Sequence, residues 1–248
     1  MKYLKINLIA IIAALLVLAA VKIGVDGLVA FKQGDSGGIA ATGSASMNFD
    51  SDLIVWRGYF SQFAPTTKDA FDALKLDAEK IKSYLLKKGV LEEEIVFSSV
   101  DISKNWSYEY NDAGYIKNEI FSGYTLTQNL TIESSNVDLI ESISRDITQL
   151  IDAGVELISN PPEYYYTKLD SMKLDLIAEA TANAYERVSL IAENSKSTIG
   201  DLVSANLGVF QITAQNSSLD EYSSGGTYNT WSRHKTAAIT VKLSYKLK

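Results

Sequence analysis

Residues 66–89 read TTKDAFDALKLDAEKIKSYLLKKG. Thr66, with Asp69 three residues on, is a capping-box start for a helix. Phe71, Leu74, Ala78, Ile81 and Leu85 then recur at alternating spacings of three and four, which places them on one helical face. Lys87-Lys88-Gly89 closes the segment with cations at the carbonyl end and a glycine able to adopt a left-handed cap. A helix with one apolar stripe needs a layer to cover it, and the neighbouring sequence supplies strands.

Upstream, Ile39–Met47 and Leu53–Phe63 read as strands around turn residues Asn48–Asp52. Downstream come strands at Glu94–Ser103 and Glu119–Glu133, with a hairpin tip at Asn111–Gly114. Ser135–Asp138 opens a second helix striped by Ile140, Ile143, Ile147 and Leu150 and closed by Gly154. Val155–Ser159 starts a strand that resumes at Tyr164–Leu169. A long helix over Ser171–Ser195 lines up Met172, Leu176, Ala180, Ala184 and Val188 at spacings of four, with alanines small enough to lie close to a sheet. Leu202–Ala214 and Thr236–Leu247 close the chain around a Ser-, Gly- and Asn-rich loop, Gln215–Thr230, expected to be mobile. The order predicts an α+β domain: a mainly antiparallel sheet with helices on one face, containing a β-α-β-β-α-β series.

The N-terminal segment concerns targeting. Lys2 and Lys5 precede an apolar run from Leu8 to Val21, and a second apolar stretch ends at Phe31. Positive residues ahead of such a run hold the N-terminus in the cytoplasm and send the rest across. Residues 1–31 therefore read as an inner-membrane anchor, or as a cleaved signal if the chain is cut after Ala19. Residues 32–38 form a polar tether, and 39–248 the folded domain on the periplasmic side. The net charge of −7 argues against the clustered basic surface that phosphate binding needs, so no nucleic acid is expected. The absence of cysteine removes thiolate metal sites and cysteine nucleophiles.

Catalytic constellations find little material. His234 is the only histidine, set between Arg233 and Lys235 at a strand start, and reads as solvent-facing and unpartnered. Asp50 and Asp52 read as turn formers in preference to calcium ligands. Glu92-Glu93-Glu94 reads as a solvated acidic turn, and Gly225-Gly226 lacks the helix that a phosphate loop needs. No cofactor, metal or enzymatic activity is expected. The aromatics are more informative. Trp106, Tyr108 and Tyr110 alternate along one strand, with Tyr115 close behind, and form a candidate interaction surface. The competing reading packs them on their own domain. Tyr164-Tyr165-Tyr166 must face both sides of a strand and reads as packing.

Several stretches also carry a resemblance. Thr42-Gly43-Ser44-Ala45, Gly89-Val90 before Ile95–Ser99, Tyr108-Glu109-Tyr110 with Gly123-Tyr124, and Ala153-Gly154-Val155 are one set. Ala180, Asn183-Ala184, Arg187, Ala192 and Ile199-Gly200-Asp201-Leu202 are the other. Together they resemble the SIMPL-domain family of bacterial envelope proteins, which includes periplasmic immunogenic and outer-membrane proteins. Ser51-Asp52 departs from it where the family commonly carries a proline before the acidic residue. The resemblance implies an envelope protein without assigned enzymatic activity, in a family with a ring-forming member. The resulting expectation is a non-enzymatic assembly or scaffold protein, homo-oligomeric and tethered to the inner membrane. The alternatives are a monomeric module binding a peptide or glycan through the aromatic hairpin and, more remotely, a carboxylate-dependent hydrolase.

Overall fold

The structure, a computed structural model, describes residues 17–28, 38–218 and 222–248. Residues 17–28 are helical and exposed (α1). Among the described residues no helix is long and apolar enough to cross a membrane. Most of the expected anchor, and the tether except Gly38, lie outside the described residues.

The remaining elements are β1 (Gly38–Asp50), β2 (Leu53–Ala64), α2 (Thr67–Lys88), β3 (Ile95–Tyr110), β4 (Ile116–Ser134), α3 (Val137–Asp146), β5 (Leu157–Ser159), β6 (Glu163–Tyr165), α4 (Leu169–Asn194), β7 (Ile199–Leu207), β8 (Gln211–Ala214), β9 (Thr227–Tyr228) and β10 (His234–Leu247). The α+β class holds. The single sheet expected from the element order is corrected to two five-stranded sheets; β8 and β9 pair in parallel, while β2 with β4, β5 and β6, β3 with β4, and β10 with β7 and β8 pair antiparallel. The chain divides into two compact units. One holds β1 as far as Ala45, Ile177–Gly208 and Thr240–Lys248. The other holds Ser46–Leu176 and Val209–Ile239.

The larger unit contains the predicted β-α-β-β-α-β series, β2-α2-β3-β4-α3-β5, in sheet order β3-β4-β2-β5 with β6 also on β2. Thr66 caps α2 by accepting the Asp69 N–H at 3.2 Å, and Gly89 ends it at φ 99°. Helices α2 and α3 bury Leu74, Ile81, Leu85, Ile140 and Ile143 against Trp56, Phe60, Leu126, Leu130 and Ile132 of the sheet. Burial of one such side chain stabilises by roughly 1.5–3 kcal/mol, so this cluster dominates the unit's stability. Phe71, assigned by its spacing to the buried stripe, is instead 47% exposed, because it lies at the helix edge facing the outer strand β3. Asn136, and not Ser135, caps α3, and the helix tightens into a 3-10 segment from Ile147 to Ala153.

In the smaller unit the predicted stripe on α4 is correct. Ala180, Ala184 and Val188 are fully buried. A Cβ on Gly43 would stand 2.2 Å from the Ala184 backbone nitrogen and 2.3 Å from the Ala180 carbonyl oxygen. Only glycine in β1 and alanine in α4 allow this approach. Asn183 Oδ1 accepts the Ser44 N–H at 3.2 Å, and Arg187 donates to the Thr42 carbonyl at 2.8 Å. Helix side chains thus satisfy backbone groups on the β1 edge. The expected strand Leu202–Ala214 is broken into β7 and β8. Gly208 interrupts it, donating its N–H to the Thr240 carbonyl at 2.9 Å, where a Cβ would stand 2.5 Å from Thr240 Oγ1.

Candidate interaction arm

The strands β3 and β4 are longer than their expected spans, and the excess forms one feature. Residues Ala64 and Tyr124 are the last pair between β2 and β4. Beyond Gly123, β4 pairs with β3 alone, through Trp106–Phe121, Ser107–Ile120, Tyr108–Glu119, Glu109–Asn118 and Tyr110–Ile116. The sheet continues as a two-stranded ribbon. Gly123 marks its root with φ 150°, and a Cβ there would meet the Ala64 carbonyl oxygen at 2.5 Å. Both register shifts in the ribbon place the extra residue on β4, so β3 keeps strict alternation from Trp106 to Tyr110. Trp106, Tyr108 and Tyr110 therefore share one face, as their spacing predicts.

Asn111 organises the tip. Its Oδ1 accepts from the Ala113 N–H at 3.1 Å and the Tyr115 N–H at 3.0 Å. Its carbonyl accepts the Gly114 N–H at 2.9 Å, and Gly114 turns at φ 80°. Tyr115 lies in this turn and not on the strand. Trp106 and Tyr108 are each 44% exposed, Tyr110 62% and Tyr115 72%. The packing alternative for Trp106–Tyr110 is thereby corrected: these rings do not enter the core. Every residue of β3 after Asn105, and every residue of β4 before Gly123, is exposed.

Sequence reading missed the other strand's contribution. Phe121 stands opposite Trp106 with ring centroids 5.3 Å apart, and reaches Tyr124 at 5.1 Å. Ile116 and Ile120 are also exposed. The usable signal was the pairing itself, which cannot be set until the hairpin register is known. Glu119 lies beside Tyr108 and lifts its phenol above the ordinary tyrosine value. Asn118 donates to Glu109 Oε2 at 2.8 Å. One face of the arm thus carries Trp106, Tyr108 and Tyr110 with Phe121 and Glu119 opposite, and the other face carries the Ser107–Ile120 and Glu109–Asn118 pairs.

The remaining candidates have structural employment. His234 is exposed but not unpartnered, which corrects the reading from sequence: its Nδ1 lies 2.6 Å from Asp50 Oδ1. Asp52 accepts from the Thr167 N–H at 2.7 Å and hydroxyl at 2.8 Å. Glu92 pairs with Lys82 at 2.6 Å, which holds its carboxyl below the usual range, and Glu94 accepts the Leu91 N–H. Among the described residues no group of three or more His, Asp or Glu side chains could hold a metal ion. Tyr164 is buried in the core, as its packing role requires, and Tyr165 and Tyr166 are partly buried. The polar loop 215–230 is tied down at its described ends. The Gln211 side chain donates to the Ser223 carbonyl at 2.7 Å and accepts its N–H at 3.1 Å.

In comparison with known families the chain matches SIMPL, described as a protein of unknown function (DUF541), over residues 39–242. No curated protein matches the chain.

Proposed function

The chain belongs to the SIMPL family, and on that premise we propose that it is a non-enzymatic cell-envelope assembly protein that self-associates through the β3–β4 arm. One observation carries the reading: a ribbon exposed on both faces carries Trp106, Tyr108 and Tyr110 along one side, with Phe121 opposite Trp106. A two-stranded ribbon is marginally stable in water, so an arm built this way is completed by what covers it. Buried interface aromatics carry a disproportionate share of association energy, often ~2 kcal/mol or more each. Placement in the envelope, with the domain on the far side of the inner membrane, rests on Lys2 and Lys5 ahead of the Leu8–Val21 run.

The test uses the full chain extracted in detergent. Light scattering should give an oligomer. Trp106→Ser combined with Tyr110→Ser should dissociate it while leaving the thermal midpoint within a few degrees, because the replaced rings lie outside the core. A monomeric parent defeats the proposal. That result would favour the alternative of a peptide- or glycan-binding module, for which an aromatic face beside the Glu119 carboxylate is suited.

A further inference from the structure

The larger unit carries an apolar hollow that none of its described residues fills. It lies between the first turn of α2 and the sheet at the base of the arm, opens to solvent with a volume of about 360 Å³, and is lined by Thr67, Lys68, Phe71, Val100, Ile102 and Leu126. Phe71 is 47% exposed and Ile102 60%, while Leu126 forms the buried floor. A dry cavity of about 150 Å³ already accepts a benzene ring, so this hollow has room for an aromatic side chain. The same chain carries, on the arm, aromatic and aliphatic side chains without a cover: Tyr110, Tyr115 and Ile116 are 62%, 72% and 58% exposed.

We propose that the arm tip of one copy seats in the Phe71–Ile102 hollow of a second copy. This rests on the self-association reading above and specifies its contact. The two features cannot meet within one molecule. Ile102 and Tyr110 are eight residues apart on one continuous strand, and at ~3.3 Å per residue the tip stands roughly 26 Å from its own hollow. The paired ladder from Trp106 to Tyr110 keeps the arm extended. Two copies supply what one cannot, and each copy has one tip and one hollow. The areas are of the right order. Aromatic side chains bury ~150–250 Å² each, so tip and hollow together approach the ~800 Å² per partner of a stable interface when each copy makes two such contacts, one as donor and one as acceptor. Exchanged reciprocally between two copies, the two contacts lie in one two-fold interface, the tip of each copy meeting the hollow of the other.

The absence of cysteine makes the test clean. Full-length Tyr115→Cys and full-length Phe71→Cys, bearing different tags, are co-expressed and oxidised with copper–phenanthroline. The expected product is a disulfide joining the two tags, in large excess over either like-with-like dimer. Ile102→Cys in place of Phe71→Cys should give the same product. A dominant Tyr115→Cys dimer with itself would overturn the proposal in favour of arm-on-arm contact. No disulfide in any pairing, in a chain that light scattering still shows as an oligomer, would also overturn it while leaving self-association standing. A monomeric chain would remove both. As a second measure, Phe71→Glu should weaken association at least ~10-fold with the thermal midpoint unchanged, since the side chain is half exposed.

Discussion

Lys235 is fully buried, and among the described residues its amine meets neutral acceptors: Ser51 Oγ at 2.8 Å, the Tyr164 carbonyl at 3.0 Å and the Ser232 carbonyl. The three bonds gather the β1–β2 turn, β6 and the segment leading into β10. With no carboxylate among these partners, burial pushes the ammonium pKa down from 10.5 to about 8. In the unfolded chain the same amine keeps its proton up to about 10.5. Between these values the unfolded state therefore binds more protons, and stability rises as pH increases from about 8. Below about 8 both states are charged and the cost is fully present. Each unit of separation is worth at most about 1.4 kcal/mol. Burial raises the Tyr164 phenol pKa, which acts in the opposite direction above about 10, so the useful window is pH 8–10. Urea midpoints of the parent should climb across it, and those of Lys235→Met should not. A parent with a flat profile would show that the amine keeps its ordinary affinity for the proton.

Among the elements, α4 and β1 show how narrow one tolerance is. The strand backbone at Gly43 lies so close to the helix that an added methyl would overlap main-chain atoms of Ala180 and Ala184. Backbone atoms cannot swing aside as a long side chain can. Gly43→Ala and Ala184→Leu should each lower stability by about 1–3 kcal/mol. Both force the same separation, so their combined loss should be less than the sum. Thermal and denaturant unfolding of the two single variants and the double variant measures this. Strict additivity would mean that strand and helix do not compete for the same space. Asn183 and Arg187 should keep their bonds to the β1 edge only while that distance holds. At the arm, Gly123 has the comparable role of letting β4 leave β2 beside Ala64.

For the whole molecule, the question is which side of the membrane the folded domain occupies. The export we propose rests on Lys2 and Lys5 ahead of the apolar run, and a net charge of −7 offers no attraction to an anionic membrane surface. A reporter active only outside the cytoplasm, fused after Lys248, should be active. An inactive fusion expressed at normal levels would place the domain inside. N-terminal sequencing of the membrane fraction then separates an anchor from a cleaved signal.

Local spacing and end chemistry were enough to determine much of this protein. Thr66, Gly89 and Gly154 bound their helical segments by backbone rules that need no tertiary partner. The fours along α4 and the alternation of Trp106, Tyr108 and Tyr110 follow from helix and strand periods, and the α+β class and the split series follow from element order. The tertiary structure alone decided the rest. Whether the hairpin aromatics face a core or solvent depends on where β2 ends, since a strand's alternation is the same with or without a neighbour. The break at Gly208 and the tight seat of Gly43 depend on atoms of β10 and α4 that no local window contains. Phe71 satisfies the helical spacing and yet is half exposed, because a period assigns a face and the edges of that face are set by what packs against it. The pairing of His234 with Asp50, 184 residues apart, is likewise a product of the fold, because sequence proximity bears on a side chain's partners only within a turn or two.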